Sequence, residues 1–174
     1  MILLLIGARG VGKTSLLAKL EWDRPNAVYV DLDQHIEQCE RLSVEDIFTQ
    51  FGEAHFRGLE QKYLDHLIES NRSTGAVIAV GAGFEGDIPA GAKVVWLQRV
   101  TDEQGRIFLD RPRLDKHLDP LQEYLKRYVH RKNVYSQQMD FEFQMPEGEH
   151  EQLSACFRRV FTDDPVDRRY GDFD

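Results

Sequence analysis

Residues Gly7-Ala8-Arg9-Gly10-Val11-Gly12-Lys13-Thr14 constrain the fold of this chain more than any other stretch of it. They follow the apolar run Met1-Ile2-Leu3-Leu4-Leu5-Ile6 and open an amphipathic one, so the pattern G-x-x-x-x-G-K-[ST] stands where its physics needs it, between a buried strand ending at Ile6 and a helix beginning at Lys13. Glycines let consecutive backbone N–H groups turn inward as an anion nest, and the start of the helix adds the positive end of its dipole. A nucleoside triphosphate, ATP, is the ligand this predicts. Its contacts are expected from Gly7, Ala8, Arg9, Gly10, Val11, Gly12, Lys13, Thr14 and Ser15, with Lys13 neutralising the β/γ oxygens and the Thr14 hydroxyl on Mg²⁺. The opening apolar run has no basic residues before it and ends in glycine after six residues, which reads as strand and not as a secretory signal. No other run approaches the length that spans a bilayer, so a cytoplasmic protein without membrane contact is expected.

Short apolar segments alternate with amphipathic ones, the arrangement of a parallel sheet covered by helices. Strands are predicted over Ile2 to Ile6, Ala27 to Val30, Ala76 to Val80, Val94 to Leu97 and Phe141 to Met145. Helical stripes run through Phe56, Leu59, Tyr63 and Leu67, through Leu121, Leu125, Tyr128 and Val129, and through Leu153, Phe157, Val160 and Phe161. Ser43 and Asp46 form a capping box that opens a further helix through Ile47 and Phe48. The fold class is therefore α/β, a three-layer α/β/α P-loop fold with a five-stranded parallel sheet flanked by helices and a mobile lid. One domain is expected over 1–162, its lid at about 99–119, where Arg99, Arg106, Arg111, Arg113 and Lys116 interrupt any apolar period. An acidic, flexible tail is expected over 163–174.

The second strand ends in Asp31-Leu32-Asp33, which puts two carboxylates at the carboxyl edge of the sheet, where ligands of open α/β folds bind. If the strand continues, the two side chains point the same way, one supporting a metal's water shell and the other accepting a proton from a hydroxyl. The competing reading is that they begin a turn or cap a helix.

A longer string carries a resemblance. Asp31-x-Asp33-x-x-Ile36-Glu37, Ile47-Phe48, Gly52-Glu53-x-x-Phe56-Arg57-x-x-Glu60, Val77-Ile78-Ala79-Val80-Gly81-Ala82-Gly83, Val95-Trp96-Leu97, Arg111-Pro112-Arg113-Leu114, and Arg131 followed by Tyr135 occur in this order. Over roughly residues 2 to 160 the chain resembles the shikimate kinase family of small P-loop kinases. The resemblance implies ATP-dependent phosphoryl transfer to a hydroxyl of a small carboxylate-bearing acceptor, first of all shikimate. It implies Thr14 and Asp31 at the magnesium ion, Asp33 holding and deprotonating the hydroxyl, and Arg57 and Arg131 clamping the acceptor's carboxylate. It places Gly81, Ala82 and Gly83 against the acceptor ring, and Arg111 over the phosphates beside Lys13.

The chain departs from the family at Ala82, where three glycines in a row are usual, and at Arg113, where an aliphatic residue is common. Ala82 keeps open a kinase for another polyol, sugar acid or nucleoside, and the irregular lid with the acidic tail keeps open a nucleotide-binding regulatory protein with little catalysis. A net charge of −8 disfavours a polyanionic partner, so no nucleic acid is expected, and the protein should be a monomer or weak homodimer. The six histidines lack metal-ligand spacing, and Cys39 and Cys156 are expected to be buried, inert thiols.

Overall fold

The computed structural model describes residues 1–23, 28–99, 117, 119–147 and 151–159. Along the chain they form β1 (Ile2–Ile6), α1 (Lys13–Asp23), β2 (Val28–Asp31), α2 (Leu32–Glu40), α3 (Val44–Phe51), α4 (Glu53–Ser70), β3 (Ala76–Ala79), β4 (Ala92–Gln98), α5 (Pro120–Gln138), β5 (Phe141–Gln144) and α6 (Leu153–Arg159). The strands make one parallel sheet in the order β2-β3-β1-β4-β5. The expected five-stranded parallel architecture is the one observed. Ala27, the first residue of the predicted second strand, lies outside the described residues, as do 100–116 of the expected lid and the whole tail.

The central strand is apolar at every position because helices cover both faces of the sheet. Ile2, Leu4 and Ile6 pack with Leu32, Ile36, Ile47, Phe56, Leu64, Ile68 and Trp96 on one side. Leu3 and Leu5 pack on the other, with Leu16, Leu17 and Leu20 of α1, Val95 and Leu97 of β4, Phe143 of β5, and Leu153 and Phe157 of α6. The split follows from the two-residue period of a strand, which sends neighbouring side chains to opposite faces. Each fully buried leucine contributes about 1.5–3 kcal/mol relative to an exposed one.

Two sequence expectations are corrected. On α5 the predicted stripe includes Leu121 and Val129, yet these are 37% and 61% exposed. The face that α5 buries carries Tyr128 and Tyr135, two helical turns apart, with Tyr135 packed 5.9 Å from the Trp96 ring. Their aromatic rings give that face broad apolar contact, and Glu123 is buried on the same helix. Cys39 is exposed, because it sits in the last turn of α2 beyond Leu32 and Ile36, the residues of that helix that reach the core. Cys156 is half-buried.

All connections that leave the carboxyl ends of the strands emerge on one edge. The loop Gly7–Gly12 follows β1, Asp31 closes β2, Val80 to Gly83 follow β3, and Arg99 and Met145 follow β4 and β5. Chain order reverses across β1, flanked by β3 on one side and β4 on the other, which opens the crevice where ligands of such sheets bind.

Candidate active site

The phosphate loop is held in place by contacts that only glycine permits. Gly7, Gly10 and Gly12 have φ values of 148°, 85° and 108°, in the left-handed half of backbone space. A Cβ on Gly7 would lie 2.6 Å from the Leu97 carbonyl oxygen, so the loop can leave β1 this close to β4 only without a side chain there. Val11 N–H donates to the Ala8 carbonyl at 3.2 Å, and the Val11 side chain is fully buried beneath the loop. Lys13 Nζ donates to the Gly7 carbonyl at 2.7 Å and to that of Ala8 at 3.3 Å, so the ammonium rests over its own loop. Thr14 and Ser15 are exposed at the start of α1.

Asp31 and Asp33 do not lie on a continuing strand. The chain turns into α2 at Leu32, and Asp31 is that helix's N-cap, accepting from Gln34 N–H at 3.4 Å. Its other oxygen accepts from the Thr14 hydroxyl at 2.8 Å. Capping and contact with the phosphate loop therefore fall to one carboxylate, and the two readings left open for this residue are compatible. Asp33 enters the first turn of α2. Burial raises its pKa above the ordinary carboxylate value, the neighbouring charge of Asp31 adds to the rise, and Lys13 and Arg57 oppose it.

A second acid faces it. Glu60 is completely buried on α4, its pKa also raised chiefly by burial against the pull of Arg57. The Asp33 Oδ1 and Glu60 Oε1 oxygens are both buried without a hydrogen-bond partner. They converge on Gly81, where a Cβ would lie 3.0 Å from the first and 2.8 Å from the second. Glycine is needed there for space. Two carboxyl oxygens aimed at one small volume offer acceptors to a hydroxyl-bearing molecule.

Next to this pair stand two guanidinium groups. A Cβ on Gly83 would meet Arg57 Nη2 at 2.5 Å and Arg131 Nη2 at 3.1 Å, so α4 and α5 bring both cations to one glycine. Arg57 is oriented by Glu60 at 2.5 Å and Glu53 at 2.9 Å, and it lies 5.6 Å from the Phe56 ring centroid and 5.9 Å from that of Phe48. Among the described residues no ion pair of Arg131 occurs. The turn between Gly81 and Phe84 closes with a 3.0 Å hydrogen bond, and Tyr135 Oη donates to the Ala82 carbonyl at 2.7 Å. Paired guanidinium edges suit the planar fork of a carboxylate.

Of the residues singled out from the sequence, Gly7 to Ser15, Asp31, Asp33, Arg57, Gly81, Ala82, Gly83 and Arg131 therefore share the carboxyl edge of the sheet. Arg111 lies outside the described residues. Glu60 and Tyr135 belong to the same ordered set of residues, but the sequence pattern marks neither as part of the site. Their signal was faint: a glutamate one turn after an arginine reads as a surface pair, and burial alone distinguishes it.

The family model described as shikimate kinase matches residues 9–160. The chain belongs to the shikimate kinase family. Family membership gives it the activity of an ATP-dependent phosphotransferase acting on a hydroxyl group. The shikimate kinase of Sulfurihydrogenibium sp. is 31% identical over 145 residues, 75% of this chain and 80% of that one. That of Persephonella marina is 30% identical over 142 residues, 76% of this chain and 82% of its own. Among solved structures, the shikimate kinase of Aquifex aeolicus superposes with a TM-score of 0.69 at 25% identity, covering 92% of this chain and 96% of that one. A shikimate kinase from Acinetobacter baumannii, solved in complex with shikimate, has the same fold, with a TM-score of 0.76 at 20% identity over 95% and 94% of the two chains. No described helix is long and apolar enough to cross a membrane.

Proposed function

We propose that the acceptor of this shikimate kinase family member is shikimate, bound between Asp33 and the Arg57–Arg131 pair, and that the γ-phosphoryl group arrives from ATP held by Gly7 to Ser15. The observation that carries the reading is the convergence of two guanidinium groups on Gly83 beside two carboxyl oxygens on Gly81, which matches a small molecule with a carboxylate at one end and hydroxyls at the other. The Acinetobacter baumannii relative was solved with that molecule, which supports the choice.

In this reading Arg57 and Arg131 bind and orient the acceptor's carboxylate, and the bare backbone of Gly81 and Gly83 leaves room for its ring. Asp33, with a buried Oδ1 that has no hydrogen-bond partner and a raised proton affinity, takes the hydroxyl proton in its ionised form as the oxygen attacks phosphorus. The bond from phosphorus to the β,γ-bridging oxygen breaks, and ADP leaves with that electron pair. Lys13 moves from its loop carbonyls to the phosphate oxygens and offsets their charge. Arg111, in the segment read as a lid, reaches the transferring group.

The donor set at Thr14 and Asp31 fits magnesium. A hydroxyl and a carboxylate meet there at 2.8 Å, and among the described residues no cluster of three or more His, Cys, Asp or Glu could hold a metal by itself. Hard oxygen donors, few in number, are what an ion that keeps most of its waters requires. Bound there, the ion would neutralise charge on the β and γ phosphate oxygens.

A coupled ADP-release assay over shikimate, gluconate and nucleosides tests the acceptor. Saturable turnover with shikimate is expected, with its KM raised roughly a hundredfold in Arg57→Ala and in Arg131→Ala, the loss of a charge-assisted pair of hydrogen bonds. Turnover with another member of the panel and none with shikimate would refute the acceptor while leaving the phosphotransferase standing.

A further inference from the structure

The phosphate loop is gripped from outside by a residue that the family string does not include. Arg99 directly follows β4, and its Nε donates to the Val11 carbonyl at 2.9 Å, across 88 residues of sequence. Its Nη2 lies 3.3 Å from where a Cβ of Gly12 would stand, and its Nη1 is 4.0 Å from Glu147 beyond β5. The side chain is 21% exposed. Met145, whose Cε would lie 2.9 Å from the same Gly12 Cβ, closes the space beside it and is anchored by its own N–H to the Gln98 carbonyl at 2.7 Å.

The peptide between Val11 and Gly12 is the one whose orientation matters. Because it is planar and trans, its C=O and its N–H point opposite ways, and fixing one end fixes the other. Gly12 has φ 108° and no Cβ, so rotation of this peptide meets little steric resistance from its own residue. A flip would aim the negative end of the dipole at bound phosphate. The next carbonyl, that of Gly12, is already committed to Leu16 N–H at 2.9 Å as the first bond of α1. Val11 O has no helical partner of that kind, and Arg99 supplies one.

We propose that Arg99 is a positioning residue of the nucleotide site: by holding the Val11 carbonyl outside the loop, it keeps the Gly12 N–H turned inward toward a β-phosphate. The proposal rests on the reading that the loop binds the phosphates of ATP. A lysine cannot substitute, because it places a carbon where arginine has Nε.

Calorimetry with ADP and with AMP, on the wild type and on the Arg99→Ala, Arg99→Lys and Lys13→Ala variants, tests it. Arg99→Ala and Arg99→Lys should each weaken ADP about tenfold, the scale of one hydrogen bond to a charged group, while leaving AMP affinity and the acceptor's KM unchanged. The Gly12 amide resonance of the ADP complex should move in both variants, a readout that mere loss of stability would not shift. Full rescue by lysine would mean that only charge matters, an equal loss for AMP would put Arg99 on the nucleoside, and unchanged ADP affinity would remove any role. Each of these overturns the proposal. Lys13→Ala separates the two layers: if it too leaves ADP affinity intact, the phosphate-loop reading itself fails, whereas weakening there with none in the Arg99 variants fails Arg99 alone.

Discussion

Asp33 holds its proton more tightly than a carboxylate in water, since burial and the charge of Asp31 outweigh the pull of Lys13 and Arg57. That is useful for a base, because proton affinity must approach the working pH before transfer from a hydroxyl is favourable. Transfer needs the ionised form, so the rate should rise with pH through a midpoint above the ordinary carboxylate range. Stability moves the opposite way. A group whose folded pKa is raised stabilises the fold fully below its unfolded pKa, and that contribution disappears as pH climbs through the folded value. Asp33→Asn, which cannot ionise, should therefore lose transfer by roughly 10²–10⁴-fold while melting higher than the wild type at neutral pH. The advantage should vanish in acid, where the wild-type side chain is protonated in both states. Differential scanning fluorimetry across pH beside single-turnover rates checks both halves, and a variant that melts lower at neutral pH would contradict the assigned burial.

Two roles meet at the junction of β2 and α2, since Asp31 caps one element and touches the loop of another. Asparagine caps a helix about as well as aspartate but carries no charge. In Asp31→Asn the melting temperature should stay within a few degrees, roughly what a cap change under 0.5 kcal/mol allows, while the magnesium concentration needed for half-maximal transfer rises several-fold. Asp31→Ala should add the loss of the cap, about 1 kcal/mol in urea unfolding. A magnesium requirement unchanged in both variants would leave Asp31 a cap only. This junction also marks how far local pattern could be read. The Asp-x-Asp spacing was plain in the sequence and so was the sheet edge, but whether the strand continued past Asp31 depended on Leu32 and Ile36 finding the core as a helix. The stripe of α5 failed for the same reason, because periodicity gives a helix its faces and the neighbouring elements decide which of them is covered.

Across the molecule, β1 links stability to function, since its residues fill both cores and its end becomes the phosphate loop. Leu4 is fully buried, between Ile78 and Val94 in the sheet. Leu4→Ala should destabilise by about 3–5 kcal/mol through lost burial and the cavity left behind, read as a lowered urea midpoint. Saturating ADP should recover part of it by binding only the folded form. A midpoint unchanged by the substitution would deny β1 its place at the centre. Strand order along the chain, the glycine loop, the helix N-cap at Ser43, which accepts from Asp46 N–H at 3.0 Å, and the two sheet faces were settled by the sequence itself, because each depends on residues close together or on a simple period. The convergence of Arg57 with Arg131 on Gly83, the burial of Glu60 beside Asp33, the Tyr135 bond to Ala82 across 53 residues and the grip of Arg99 on Val11 were decided only by tertiary structure. Those contacts join elements whose relative placement is fixed by packing of the whole sheet, and packing leaves no periodic trace in the chain.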